Sequence, residues 1–197
     1  MSIGLHGRKR VSPTESRAAA VEAARELLMA DGAAAVTLQA VAKRIGRSHA
    51  NVLHHFGSAA GLSRALAEEI ARSVAASIEG AIEQRRQGTG TERNVIDAMF
   101  DAFRREGAGE LIGWIALTRQ REALEPVVAT IERIIRTMRM AGDQRPVDKM
   151  TLGLTLLAIG DSLAGDEVAR ACGVERKAVR DIAITQIEAL SGEALRE

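Results

Sequence analysis

The sequence is poor in the residues that build covalent and catalytic sites. Its one cysteine, Cys172, cannot form a disulfide within the chain, and we expect it to be a small buried apolar residue. There is no glycine-rich phosphate loop, no Cys/His cluster at metal-ligand spacing and no nucleophile motif. His49, His54 and His55 lie close together, but on one helix they point in three directions, which excludes a shared metal ion. We therefore expect no enzyme activity, no metal and no cofactor.

Long apolar runs and strand-like alternation are also missing. No apolar run approaches the length needed to cross a membrane. The basic residues 8–10 are not followed by the apolar segment of a signal peptide. Apolar alternation bounded by turn residues, which is typical of strands, is absent. The sequence thus predicts an all-α, cytoplasmic protein with no membrane contact.

Acidic residues are missing from one particular stretch. The net charge is only +1, but residues 1–62 carry eight Lys or Arg against four Asp or Glu, whereas residues 63–197 carry 19 against 22. Between Gly32 and Ala67 there is no acid at all. A basic, acid-free segment is typical of a surface that approaches phosphates. The cations in that segment are Lys43, Arg44, Arg47 and Arg64.

Residues 37–62 have the pattern of two short helices joined by a tight turn, followed by the start of a third. Gly46 ends the first helix, because glycine alone adopts left-handed backbone angles without steric cost. Ser48 is a suitable N-cap for the second helix, on which Val52 and Phe56 point inward. This is a helix-turn-helix, whose second helix can enter a DNA major groove. The outward residues of that helix are hydrogen-bonding and none is acidic: Ser48, His49, Asn51, His54 and His55.

The same stretch resembles the DNA-binding domain of the TetR family of transcriptional regulators. The resemblance rests on Ala30-Asp31-Gly32, Thr37, the turn from Ala42 to Ser48, the helix end from Leu53 to Phe56, and Ser58-Ala59. It covers about the first third of the chain. It implies an all-α fold with an N-terminal three-helix helix-turn-helix domain and a C-terminal helical bundle. It also implies a homodimer that binds double-stranded DNA.

Three residues depart from the family pattern. Leu53 and Ala59 stand where the family has a Tyr and a Lys that usually contact phosphate, and Arg47 replaces a small apolar residue. We expect Arg47, His54 and His55 to supply phosphate contacts instead, because such contacts need only a donor or a cation. The predicted DNA-binding residues are Thr37, Arg47, Ser48, His49, Asn51, His54 and His55, together with Arg8, Lys9 and Arg10 of an N-terminal arm.

The chain divides into two predicted domains. Residues 1–62 form the helix-turn-helix domain, in which residues 1–12 are a flexible basic arm that either lies along DNA or is a solvated tail. Its first helix begins with the capping signals Ser12, Pro13 and Glu15. Residues 63–197 form a helical ligand-binding and dimerisation domain. A helix with apolar residues at near-regular steps of four, running to about Gln87, connects the two.

The second domain contains two helices that are apolar almost all round, at 111–117 and 148–163, and a last helix at 175–190. Such helices line a pocket or a subunit interface. Asp161 is interpreted as the cap after a helix break at Gly160, or alternatively as a polar anchor in the pocket.

The large aromatic side chains of this domain, Phe100, Phe103 and Trp114, either belong to the plain core or line a pocket. Candidates for the ligand pocket are Met99, Phe100, Phe103, Trp114, Thr118, Leu154 and Asp161. Candidates for the dimer interface, which the resemblance places on the last two helices, are Leu156, Leu163, Val179, Ile182, Ala183, Gln186 and Leu190.

The function implied by the resemblance is that of a repressor released from a near-palindromic operator by a small molecule. Two alternatives stay open. One is a helix-turn-helix regulator without a small-molecule effector. The other is a helical interaction protein whose helix-turn-helix is only structural, against which the acid-free stretch argues.

Overall fold

The structure, a computed structural model, describes residues 12–194, and over that range it is helical with no strand. The predicted arm residues Arg8, Lys9 and Arg10 lie outside the described residues. The helices are α1 Pro13–Asp31, α2 Leu38–Arg44, α3 His49–Phe56, α4 Ala59–Arg86, α5 Glu92–Arg105, α6 Ala108–Leu117, α7 Glu125–Met140, α8 Val147–Cys172 and α9 Ala178–Ala194. Short 3-10 segments occupy Ala33–Ala35 and Arg121–Leu124. The all-α prediction is confirmed.

The first four helices begin at the Ser and Thr caps that are expected from the sequence. The Ser12 hydroxyl accepts the Glu15 amide at 3.1 Å, and the Glu15 carboxylate accepts the Ser12 amide at 2.8 Å, which completes a capping box. Thr37, Ser48 and Ser58 each accept the amide three residues ahead. Gly46 adopts a φ of 63° in the turn between α2 and α3. These caps fix α3 relative to α2.

Helix α4 is the axis of the fold. Its apolar stripe, which includes Leu62, Leu66, Ile70 and Val74, is buried from the helix-turn-helix well into the bundle. α1 and α3 pack around its first turns, while α5, α6 and α7 pack farther along. It ends at Arg86, next to the predicted Gln87. One hydrophobic core therefore runs through both parts of the chain.

Helix α8 differs from the prediction, because it is unbroken. The predicted break at Gly160 does not occur, and Asp161 lies buried in mid-helix, where its carboxylate pairs with Arg176 at 2.9 Å. The prediction that Asp161 caps a helix is therefore wrong. Because a partner on the following loop satisfies the carboxylate, the helix does not have to end there. Tertiary packing outweighs the modest helix-breaking tendency of one glycine.

The continuation of α8 also changes the position of Cys172. This residue is the last of α8 and is exposed, so the prediction of a buried cysteine is wrong. Neighbouring Val168 and Val174 are exposed as well. The end of α8 thus projects beyond the core of its own chain. Within residues 12–194 no helix combines the length and the apolar character needed to cross a membrane.

Candidate DNA-binding surface and ligand cavity

Helix α3 presents one exposed side away from the core. Val52 is fully buried and Phe56 packs against the core, which fixes the rotation of the helix. The opposite side consists of His49, Ala50, Leu53 and His54, all exposed, and we refer to these four residues as the reading face. Ser48 and Thr37 are exposed as well, although each hydroxyl already caps its own helix. The reading face can approach DNA without any change in the core.

Asn51 lies to one side of the reading face. It is half-buried, and its Oδ1 atom is inaccessible and has no hydrogen-bond partner among residues 12–194. His55 is also half-buried, between His54 and Phe56. The expectation that Asn51 points freely outward is therefore wrong, because at 100° per residue it lies nearer to buried Val52 than to the middle of the exposed side.

Two of the four cations in the acid-free stretch face acids from elsewhere in the chain. Arg44 pairs with Glu26 of α1 at 3.1 Å, and Arg64 pairs with Glu125 of α7 at 2.8 Å. Lys43 and Arg47 are exposed and form no ion pair with the residues that the structure describes. Arg17, which sequence reasoning missed, lies with its guanidinium carbon 5.3 Å from the centre of the Phe56 ring. Since Arg17 is in α1, only the tertiary fold brings this cation to the end of α3.

The bundle contains a partly open apolar cavity beside α4, in which the centre of a water-sized sphere can occupy about 90 Å³. Five helices, α4 to α8, contribute to its wall. Of the residues predicted for a ligand pocket, Met99, Phe103 and Leu154 line this cavity. Most of the lining consists of aliphatic residues that the sequence did not assign to a pocket. Periodicity identifies a buried face, but it does not show whether that face meets another side chain or an empty space.

The other four pocket candidates lie outside the cavity. Phe100 is buried in the core, with the Arg180 guanidinium 5.6 Å from its ring. Trp114 packs against the core at its edge, and the Thr118 hydroxyl donates to the Trp114 carbonyl at 2.8 Å to end α6. Asp161 belongs to the ion pair with Arg176. The prediction that these four residues line the ligand pocket is therefore wrong.

One charged residue, Glu92, lines the cavity, and its charge is compensated. Its carboxylate accepts hydrogen bonds from Arg85 at 2.6 Å and Arg145 at 3.0 Å. The Arg145 side chain also donates to Asp143, and the two shortest of these hydrogen bonds are 2.8 Å and 2.6 Å. Hydrogen bonding by Arg145 lowers the pKa of Asp143 below its usual value, and the same bond raises the pKa of Arg145. The cluster thus joins two arginines and two carboxylates in one ion-pair network.

Helix α6 joins the cavity to the helix-turn-helix. It lines the cavity with Ala108, Leu111 and Ile112. On its other side the Glu110 carboxylate accepts the Ala33 amide at 2.8 Å, just beyond the end of α1. Glycine suits position 32, because its φ of 83° strains other residues and a Cβ atom there would lie 2.8 Å from the same Glu110 oxygen.

Two further contacts bring α1 against the start of α6. A Cβ atom at Gly107 would lie 2.9 Å from Leu28 Cδ2, so the backbone of this turn packs directly on α1. The Arg25 and Glu106 side chains are 2.6 Å apart, in ionic contact but without the alignment of a hydrogen bond. Sequence reasoning missed all of these contacts, because they join residues far apart in the chain.

The outer side of α8 and α9 is apolar and exposed. On α8, Leu152, Leu156 and Leu163 are 62%, 61% and 51% exposed and share one stripe. On α9, Ile182 is 60% exposed, and Gln186 is exposed beside Gly153 of α8. We refer to these residues as the outer stripe.

Three of the predicted interface residues do not belong to the outer stripe. Ala183 is fully buried in its own chain, so its assignment to a dimer interface is wrong. Val179 and Leu190 are half-buried against the same core. Leu152 was missed, although its position four residues before Leu156 is the signal that would have found it.

Comparison with known proteins relates the first part of the chain to a family. Residues 20–66 match the family model for bacterial regulatory proteins of the tetR family. The segment that contains the helix-turn-helix is thus similar to the tetR family. A crystal structure of a protein from Shewanella sp. PV-4, assigned to the tetR family transcription regulators, has the same fold, with a TM-score of 0.52 and 16% sequence identity. The alignment covers 89% of this chain and 98% of the other. No curated protein matches the sequence.

The matched segment begins at Ala20 in α1 and ends at Leu66 in α4. It therefore contains α2, the turn, α3 and the caps that hold them. The match to the family model is confined to this part of the chain, and the structural neighbour shows a similarity of fold.

Proposed function

We propose that this protein is a TetR family transcription regulator, a homodimeric repressor that binds a near-palindromic operator and leaves it when a small molecule enters the cavity. This proposal rests on helix α6, which contacts both the cavity and the helix-turn-helix domain. The same helix lines the cavity with Leu111 and holds the end of α1 through Glu110. A ligand that displaces α6 therefore changes the support of the helix-turn-helix. Release requires the ligand to bind the DNA-incompetent arrangement more tightly than the DNA-competent one.

The reading face is the part of α3 that would contact base edges. His49 and His54 can exchange hydrogen bonds with bases, and exposed Leu53 can contact a thymine methyl group. Leu53 would then read sequence, where the Tyr usual in the family contacts phosphate. Thr37 and Ser48, at the starts of α2 and α3, would face the phosphates. We assign Asn51 and His55 to the margin of this surface, because both are half-buried.

Phosphate contacts would come from the cations that have no acid beside them. Arg47 precedes the cap of α3, and Lys43 lies one turn earlier on α2. Arg17 would add a third cation near the end of α3. The arm residues Arg8, Lys9 and Arg10 remain a proposal from the sequence alone. Cationic contacts of this kind hold the protein on DNA and make binding depend on salt.

The outer stripe would be covered by a second copy of the same chain. Two α3 helices that read one near-palindromic site need a two-fold axis, and a two-fold interface pairs the same patch on both subunits. Leu156, Leu163 and Ile182 offer such a patch on α8 and α9. We accordingly place residues 1–62 in the DNA-binding domain and residues 63–197 in the ligand-binding and dimerisation domain, with α4 continuous across the boundary.

Footprinting on the DNA that flanks the gene tests the proposal. We expect one protected region with two-fold symmetric sequence. Arg47→Ala should weaken binding to every duplex and reduce the salt slope by about 1. Arg44→Ala is the matched control, because the Arg44 charge is already paired with Glu26. Failure to protect any site would favour the interaction protein, and protection that no small molecule relieves would favour the regulator without an effector.

A further inference from the structure

We propose that the cavity takes an uncharged, slender hydrocarbon molecule, such as a long-chain alcohol or ester, rather than an organic anion or cation. The inference rests on the ligand-controlled function proposed above and narrows its ligand to one chemical class. It follows from the shape of the cavity, its walls, and the state of its one charged residue.

The cavity is long and narrow. Its lining on α4 runs from Ala67 to Ile82, which corresponds to ~22 Å along a helix that rises ~1.5 Å per residue. Over this length the centre of a water-sized sphere can occupy only about 90 Å³, so the free space is a thin channel. An extended chain can follow such a space, whereas a fused ring system would have to push the helices apart. Close-packed side chains resist that displacement.

The walls offer hydrocarbon and very little else. Of the 22 lining residues, 18 are apolar, and the polar ones are Glu92 and three threonines. An ionised group placed among these side chains would lose its hydration without a partner, which is more costly than the apolar contacts can offset. The body of the ligand must therefore be uncharged.

The one charged lining residue does not change this conclusion. Glu92 already accepts hydrogen bonds from Arg85 and Arg145, and Arg145 is held in turn by Asp143. Two arginines on Oε2 already compensate the Glu92 charge, so a cationic ligand would gain little attraction there, and an anionic ligand would meet the Glu92 carboxylate itself. No unpaired charge remains among the described lining residues to attract an ion of either sign.

The threonines provide a place for one neutral polar group. Thr151 and Thr155 stand four residues apart, on the same face of α8, and both line the cavity. The Thr151 hydroxyl donates to the Val147 carbonyl at 2.6 Å, so its oxygen remains free to accept. An alcohol can donate to this oxygen, and a neutral ester can accept from the hydroxyl of Thr155. Such a group orients the chain without adding charge.

Calorimetric titration of the full-length protein compares three probes with the same chain: dodecanol, dodecanoate and dodecyltrimethylammonium. Each is used at neutral pH, below the concentration at which it aggregates. We expect dodecanol to bind and the two ions to bind at least about tenfold more weakly. Ile134→Trp, which fills the lining from α7, should weaken dodecanol binding at least about tenfold. Ile135→Trp is the matched control, since Ile135 is equally half-buried but does not line the cavity.

Leu154→Phe narrows the cavity from α8 and gives a second variant if Ile134→Trp does not fold. Equal or tighter binding of either ion, no binding of dodecanol, or dodecanol binding untouched by both lining variants would overturn the inference. Operator binding is followed in parallel to separate it from the proposed function. If dodecanol fills the cavity and the operator stays bound, ligand-controlled release is wrong while the ligand class stands. If dodecanol does not bind but another molecule releases the operator, only the ligand class is wrong.

Discussion

The helix-turn-helix and the helical bundle behind it are specified by the sequence in different ways. In the first, each helix begins at a hydroxyl cap that acts three residues ahead, as at Ser48 and Ser58. In the second, decisive contacts join residues far apart in the chain, such as Arg145 with Glu92 and Arg180 with Asp97. The helix-turn-helix can therefore be predicted from a local sequence motif. The helical bundle, which would bind a ligand and a partner, cannot. The predictions below test whether the two parts depend on each other.

The largest expected effect comes from breaking the outer stripe. Ile182→Glu places an unpaired charge in the proposed two-fold interface, where it has no partner. We expect the dimer to dissociate and operator affinity to fall by roughly 100-fold or more, because each chain then reads only half of the site. Val128→Glu is the matched control, since Val128 is 52% exposed on α7, away from the stripe. A mutant that remains dimeric with normal operator affinity would place the interface elsewhere.

A smaller effect is expected from the reading face, and it should differ between neighbouring residues. His54→Ala removes an exposed donor and should cost roughly 1–3 kcal/mol of operator binding while relaxing the site at one position. Asn51→Ala should cost less, because Asn51 is half-buried and its Oδ1 is inaccessible. Binding-site selection with each variant measures both effects. A larger loss of specificity for Asn51→Ala than for His54→Ala would contradict the orientation of α3.

The contact between α6 and α1 should contribute to stability. Glu110→Ala removes the acceptor for the Ala33 amide and should lower the free energy of unfolding by about 1 kcal/mol. Glu110→Gln retains an acceptor oxygen and should recover part of the loss. Urea unfolding measures both, with Glu122→Ala as a control at an exposed acid. Equal stability of Glu110→Ala and Glu122→Ala would show that the contact between the two parts is weak.

The smallest effect concerns pH. Because Arg145 lowers the pKa of Asp143 in the folded protein, the ionised carboxylate stabilises the fold above its unfolded pKa of about 3.9. This stabilisation is lost as the pH falls through the pKa of Asp143 in the folded protein, which is lower than the unfolded pKa. Asp143→Asn should therefore lower the melting temperature at neutral pH and approach the wild type as the pH drops below about 4. A difference that does not change with pH would argue against this ion pair, and Asp148→Asn, at an exposed acid, serves as the control.

The sequence allowed the helix-turn-helix to be predicted almost residue by residue. The capping box at Ser12, the turn at Gly46 and the cap at Ser48 involve neighbours within a few positions, so their physics is local. The continuity of α8 could not be predicted, because it depends on Arg176 satisfying Asp161 from the following loop. The rotation that half-buries Asn51 is likewise set by packing against α1 and α4. A hydrophobic stripe alone does not distinguish core, cavity wall and dimer interface, which explains the misplacement of Trp114 and Ala183.

The central claim is that two copies of the chain act as one reader of a two-fold operator. Sedimentation of the protein with a full-site duplex and with a half-site duplex tests it most directly. We predict one dimer on each full-site duplex and roughly 100-fold or more weaker binding to the half-site. One chain on each duplex, with equal affinity for the two duplexes, would contradict the account.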